Sequence, residues 1–182
     1  MRIDLHTHCG EATNSSKPTL HIVKDIVDAV KAKGLDGIAI TEHFDKTYGY
    51  EVKEMVDHNL NGKIMVIPGQ EIDKLFMGVE RGFFHAHIVE LDLPGDVTFR
   101  FIAHPGHWYV KELDSVIANG IHGIELRNPN HDDEMDEAEI KGLAEKYGLL
   151  LLTNSDAHHL SDIGKYSNEI DIDELYSRAR RT

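Results

Sequence analysis

A single cysteine, Cys9, is too few for an internal disulfide, and such a chain suits a reducing cytosol. Long apolar runs are absent as well. None approaches the ~18 to 20 residues that a membrane span needs. Asp4 and His6 interrupt the segment after Arg2, so the N-terminus lacks the apolar stretch of a signal peptide. Basic residues are scarce, with 19 Lys and Arg against 32 Asp and Glu and a net charge of −13. That balance argues against long nucleic acid, whose binding needs clustered cations to displace phosphate counterions. Gly and Pro stay below the level of fibrous or disordered chains, and no repeat, low-complexity tract or linker interrupts the sequence. With 41% hydrophobic residues, residues 1–182 are expected to form one soluble, cytoplasmic domain with its own core.

What the chain has in excess is histidine. Thirteen are spread from His6 to His159, where a terminal affinity tag would cluster them at one end. Dispersed His among many Asp and Glu is the composition of a metal site assembled from distant segments.

Short apolar runs alternate with amphipathic stretches. Strands are expected at Ile3–Leu5, Gly37–Ile40, Ile64–Ile67, Gly82–Leu93, Thr98–Ala103, Gly123–Leu126 and Leu149–Leu152, with a short one near Asn168–Ile170. The third is expected to break at Pro68-Gly69, and Glu11 to Lys17 reads as loop. Helical spacing appears over Leu20–Lys33, Glu51–Leu60, Tyr109–Ala118 and Asp132–Tyr147, with a last helix from Asp171. Strands alternating with helices imply a mostly parallel sheet. Seven of them favour a barrel or near-barrel over an open doubly wound sheet, for which no glycine-rich dinucleotide fingerprint is present.

The decisive pattern is positional. His6 and His8 follow the first strand, His43 the second and Glu71 the third. The fourth carries His85 and His87, the fifth ends at His104, the sixth contains Glu125, and the seventh leads to Asp156 and His158. In parallel α/β barrels the C-terminal strand ends share one rim, where active sites lie. Each residue alone reads more readily as a turn, a cap or a hydrogen-bonded histidine. As a set they would be buried polar groups on one rim without a common purpose, which is costly. Of the rest, His21, His58 and His122 are expected on the surface or in packing, and His107, His131 and His159 near the rim. Cys9 is read as a small loop residue.

In order, His6-Thr7-His8, Thr41-Glu42-His43, Pro68-Gly69-Gln70-Glu71, His87-Ile88-Val89, Ala103-His104-Pro105, Gly123-Ile124-Glu125 and Asn154-Ser155-Asp156-Ala157-His158 resemble the motif series of the polymerase and histidinol phosphatase (PHP) domain. The resemblance spans Ile3 to about Ile170. It implies a distorted (β/α)7 barrel binding two or three divalent metals and hydrolysing phosphoesters. By motif, His6, His8, Glu71 and Asp156 would hold one metal. Glu71 would bridge to a second held by His87 and His104, and His43 and His158 would serve a third. His85, two residues before His87, points to the same side, and the resemblance favours His87.

One departure concerns the third metal. The family places an Asp or His five or six residues after the second opening His, where this chain has Thr13 and Asn14. Asn14 or Glu11 would have to substitute, so two metals are the firmer expectation.

Imidazole and carboxylate donors suit Zn, Mn or Fe. Two such ions ~3.5 to 4 Å apart activate a water and clamp the phosphoryl oxygens of an in-line displacement. Arg127, two residues past Glu125, is the first choice for a phosphate clamp, ahead of Lys165 and Arg81. His159 and His107 are the candidates for general acid. The expected activity is hydrolysis of a small phosphate monoester or short nucleotide. Rival readings are an exonuclease, which would need a basic groove, and an inactive metal-bound domain that stabilises a partner.

Overall fold

The computed structural model describes residues 1–78, 82–106 and 112–180. Eight strands form one sheet in the order β7-β6-β5-β4-β3-β2-β1-β8. They are β1 (Arg2–Asp4), β2 (Gly37–Ile40), β3 (Met65–Met77), β4 (Phe83–Leu93), β5 (Val97–Ile102), β6 (Gly123–Arg127), β7 (Leu150–Thr153) and β8 (Asn168–Glu169). β1, β2 and β3 run parallel, as do β5, β6 and β7, while β4 runs antiparallel to both neighbours. The expected seven-strand distorted barrel is thus present, with its middle built as an antiparallel meander and a short β8 antiparallel to β1.

The two ends of the sheet meet through the segments that follow β1 and β7. His6 O accepts the Asp156 N–H, Ala157 O accepts the His8 N–H, and Thr7 bridges Ala157 in parallel. Deeper down, side chains do the joining. Asn154 Oδ1 accepts the Leu5 N–H, and Asn168 Oδ1 accepts the Thr153 N–H. The barrel closes where the metal-type residues lie.

Strand alternation sorts the apolar residues into layers. Ala39, Ile67, Val89, Leu91, Phe99, Phe101 and Leu152 pack together inside the barrel. Ile38, Ile40 and Val66 face outward onto α2 (Leu20–Ala32) and α3 (Thr47–Asn59). Ile88, Ile102 and Ile124 face outward onto α4 (Asp114–Ile117) and α5 (Glu137–Tyr147). α2 starts where Thr19 Oγ1 accepts the Ile22 N–H, and it ends before Gly34 in the left-handed region. A single turn, α1 (Cys9–Ala12), follows β1, and α6 (Ile172–Ala179) closes the chain. No helix among the described residues is long and apolar enough to cross a membrane.

Two expectations are corrected. β3 does not break at Pro68-Gly69. Pairing with β2 ends at Pro68 and pairing with β4 begins at Gly69, so no ladder bond calls on the missing proline N–H. Gly69 is needed there, since a Cβ would stand 2.5 Å from Glu90 O. The helix expected from Asp132 begins only at Glu137. Asp136 accepts the N–H groups of Ala138 and Glu139 as the N-cap, while residues Asp132–Glu134 form a separate 3-10 turn. Of the helix expected over Tyr109–Ala118, residues 109–111 lie outside the described residues, and Asp114–Ile117 is helical.

Candidate metal centre

Glu71 stands at the middle of the site, buried at the point where β3 leaves β2 for β4. Its Oε1 lies 2.8 Å from His87 Nδ1 and 3.0 Å from His104 Nε2. Its Oε2 lies 3.1 Å from His43 Nδ1, 3.4 Å from His8 Nε2 and 3.5 Å from His6 Nε2. One carboxylate thus presents each oxygen to a different group of imidazoles. Asp156 Oδ1 completes the second group, 3.1 Å from His8 Nε2 and 3.5 Å from His6 Nε2.

The strands put these side chains together. β4 runs downward, so His87, opposite Asp73 and two residues before Val89, reaches the same rim as Glu71 in the middle of β3 and the end of β5. His104 (φ 26°) and Asp156 (φ 49°) both adopt left-handed backbone, which costs an L-residue on the order of 1–3 kcal/mol. Fixed partners offset that cost. Glu125 Oε2 accepts the His104 N–H at 2.8 Å, and Asn130 Nδ2 donates to Asp156 O at 2.8 Å.

The donor atoms fit divalent cations. His8 Nδ1, Glu71 Oε2 and Asp156 Oδ1 are buried without a hydrogen-bond partner among the described residues. Two of these oxygens have imidazole nitrogens within ion-pair distance, yet none is aligned to donate to them. Buried, unpartnered lone pairs at such a cluster are what a cation would satisfy. Four overlapping groups have ligand atoms mutually within 4.8 Å: His6, His8 and Glu71; His6, His104 and Asp156; Glu71, His87 and His104; and His8, Glu11, His43 and His158.

Without metal, protons hold the cluster together. Burial resists charging His6, but Asp156, Glu125 and Glu71 outweigh it and raise its pKa well above the ordinary value. His8 is likewise raised against its burial by Asp156 and Glu71. Burial opposes ionisation of Glu71 and Asp156, yet the imidazoles, His6 foremost, hold both far below the usual carboxylate range. Hydrogen bonding to Glu71 raises His87.

Behind the ligands stands a set of residues whose part the sequence alone leaves unassigned. Glu125 does not join the donor groups. Its Oε1 accepts from His6 Nδ1 at 3.0 Å and from Asn154 Nδ2 at 2.7 Å, fixing the ring so that Nε2 faces the cluster. Asn128 Nδ2 reaches both Glu125 Oε2 and Asp156 Oδ2. Asp4, fully buried, accepts from the backbone of Ser155 and Gly164 and from Ser155 Oγ. Burial pushes its carboxyl up to about 6. The Gly123-Ile124-Glu125 motif pointed at the position of Glu125 but not at its job.

Several expected site residues lie elsewhere. A β-bulge between Glu125 and Arg127 breaks the strict alternation, so Arg127 does not share the face of Glu125. Its guanidinium is engaged by Asp132 at 3.0 and 3.1 Å, Glu137 at 3.2 Å and the Tyr166 hydroxyl at 2.9 Å. This corrects its assignment as phosphate clamp. Lys165 pairs with Asp162. His159 is exposed, and among the described residues no ion-pair or ring contact ties it to the cluster. That leaves its assignment as general acid without structural support. Arg81 and His107 lie outside the described residues. His85 sits two residues above His87 with Nδ1 on Asp73 at 2.8 Å, apart from the donor groups. His131 is at the rim, stacked on His104 at 4.3 Å with Nε2 3.8 Å from Asp156 Oδ2. Cys9 is buried in α1, and burial pushes its thiol up, which makes it a packing residue rather than a nucleophile.

A family model described as PHP-associated matches residues 136–180. No curated protein sequence matches the chain. Among solved structures, a protein named as a candidate metal-dependent phosphoesterase from Bifidobacterium adolescentis superposes with a TM-score of 0.67 at 14% identity, over 98% of this chain and 96% of that one. An amidohydrolase from Chromobacterium violaceum, solved with bound sulfate and no metal, gives 0.63 at 15% identity over 97% and 96%. PsfC from Pseudomonas syringae gives 0.57 at 17% identity over 90% and 78%. At these identities the likeness establishes the fold.

Proposed function

We propose that this chain, which belongs to the PHP-domain family by its ordered motifs and its PHP-associated match, is a metal-dependent phosphoesterase acting on a small phosphate monoester. The observation that carries this is Glu71, whose two oxygens face two separate groups of imidazoles. That is the arrangement of a carboxylate shared between two cations. Zn, Mn and Fe all suit the donors. When bound there, paired divalent ions polarise phosphoryl oxygens and lower the pKa of an attacking water.

The protein's own residues hold and orient. Glu125 fixes the His6 ring, and Asn128 steadies Asp156 from behind. His131, half-exposed beside His104, is placed to donate to a phosphoryl oxygen at the open side of the cluster. The buried Cys9 leaves the attack to water. The net charge of −13 favours a small substrate over a nucleic acid chain. Metal-loaded protein is expected to release phosphate from an aryl phosphate, and EDTA to abolish the release. Failure on phosphomonoesters and nucleotides with each of Mn, Zn, Fe and Co would refute the assignment.

A second reading, amide hydrolysis, is favoured by one observation. Among the described residues no Lys or Arg pairs with a cluster carboxylate, and the fold is shared with an amidohydrolase. Turnover of amides without turnover of phosphoesters would select it.

The geometry around α1 supports a third ion. Thr13 hydrogen-bonds back to Cys9 O, and Asn14 lies beyond α1 in left-handed backbone. The turn of α1 instead brings Glu11 to the site. Its Oε1 lies 3.6 Å from His43 Nε2 and its Oε2 3.7 Å from His158 Nε2. Glu11 is therefore assigned the carboxylate of a third ion. Wild type is expected to carry three ions per chain by native mass spectrometry, and Glu11→Ala two. Equal counts in both proteins would remove Glu11 from the ligand set.

A further inference from the structure

The β3–β4 ribbon overshoots the rim. Residues 72–77 pair only with β4 and residues 83–86 only with β3, beyond the reach of β2 and of the β5 side, whose last bond to β4 is the Ala103 N–H to His87 O. In an antiparallel pair, residues directly opposite point to one face, and that face alternates along the strand. One face of the overshoot therefore carries Asp73 with His87, Leu75 with His85, and Met77 with Phe83, in line with Glu71 and Val89 below. Val89 belongs to the barrel interior, and Glu71 and His87 are metal-ligand candidates, so this face continues upward from the site. The opposite face, with Ile72, Phe76, Phe84 and Ala86, is packed into the outer core against α4.

On the site side, Leu75, Met77 and Phe83 are 57%, 63% and 67% exposed. Three large apolar side chains in one row on a two-stranded ribbon carry a solvation cost that an ordinary surface avoids. Between them and the metal ligands stands His85, its Nδ1 2.8 and 2.9 Å from the two oxygens of Asp73, which fixes the ring. At ~3.4 Å per residue, the Met77–Phe83 pair lies about 14 Å beyond the Asp73–His87 pair. That is the reach of a substrate with its phosphate at the ions. Within the described part of this face there is no Lys or Arg. Among these described residues a polyphosphate or nucleic acid extension would meet no Lys or Arg, whereas an uncharged apolar group would meet Leu75, Met77 and Phe83.

We propose that this face of the ribbon is the subsite for the alcohol portion of the substrate, and that this portion is an uncharged apolar group. The proposal rests on the phosphoesterase reading for what sits at the ions, and its test does not depend on turnover. Naphthylmethylphosphonate and methylphosphonate are titrated calorimetrically into the Mn²⁺-loaded full chain and into Leu75→Ser/Phe83→Ser. Both positions are solvent-exposed, and equal metal content in the two proteins verifies that the site is intact. Wild type is expected to bind the naphthyl compound at least about tenfold more tightly, the scale of burying one apolar ring. The double variant should bring the two ligands within about twofold of each other. No preference in wild type, including no binding of either, overturns the subsite, as does a preference the variant retains. So does a wild-type dimer that the variant breaks, because the row would then serve self-association. A lost preference in a protein that hydrolyses no phosphoester would support the subsite and refute the phosphoesterase assignment. Turnover without the preference would do the reverse.

Discussion

Glu71→Ala is expected to lose most of the bound metal and to lower phosphate release by at least about 1,000-fold, the scale of removing one preorganised charge from a buried site. The size of the effect follows from sharing. Oε1 serves His87 and His104, and Oε2 faces His6, His8 and His43, so one truncation strips a donor from both groups at once. Loss of an imidazole that belongs to a single group, such as His87, should leave the other groups whole and remove one ion at most. Glu71→Gln separates charge from shape. Its amide keeps one oxygen and turns a donor toward the other group, so it is expected to retain part of the metal that alanine loses. The measurement is metal per chain by inductively coupled plasma mass spectrometry, alongside phosphate release and far-ultraviolet circular dichroism. Normal occupancy in a folded Glu71→Ala protein would contradict the bridging role.

The same carboxylate shows what the sequence can and cannot reveal. That His6, His8, His43, Glu71, His87, His104, Asp156 and His158 come together was legible because strand ends converge and the resemblance gives their order. That rule is coarse, and it tolerates an antiparallel β4, which brings His87 to the rim from within a strand rather than from its C-terminal end. Arg127 departs from strict alternation because β6 holds a bulge, which no residue type at Glu125 to Arg127 announces. Once rotated outward, its guanidinium met Asp132, and the same pairing takes Asp132 away from the start of α5. Glu11 was only one of two possible substitutes in sequence. A four-residue helix with no apolar period to mark it swings that side chain toward His43 and His158. Glu125 and Asp4 illustrate a third limit. Their positions read as those of potential ligands or strand polarity, yet their oxygens are spent on His6, Asn154, Ser155 and Gly164. Which way a buried carboxylate faces depends on partners over a hundred residues distant.

Proton occupancy of the cluster leads to an inverted response to pH with and without metal. In the metal-free protein His6, His8 and His87 have raised pKa values. Their stabilising contribution is fully present below the ordinary His range near ~6.5 and is lost as pH rises through the raised folded values. Asp4, pushed up to about 6, acts in the same direction, because its folded form favours the proton. Glu71 and Asp156 are held low, so their contribution is present above ~4 and lost only in strong acid. Metal-free protein should therefore be more stable in mild acid than at alkaline pH, weakening as pH rises through the raised folded values. The loaded protein runs the other way, because ions require neutral imidazoles and ionised carboxylates and compete with protons for them. At free metal about 1,000-fold above Kd, each ion adds roughly 4 kcal/mol, so the two ions that share Glu71 should by themselves raise Tm by about 15 °C or more at pH 8. At pH 5.5 the gap should shrink to a few degrees, by about the measure that protons displace the ions. Differential scanning calorimetry in EDTA and in Mn²⁺ or Zn²⁺ across pH 5 to 9 reads both curves. A metal-free Tm that climbs from pH 6 to 8 would mean that imidazolium is not what balances Glu71 and Asp156, and the orphaned oxygens would then need another partner.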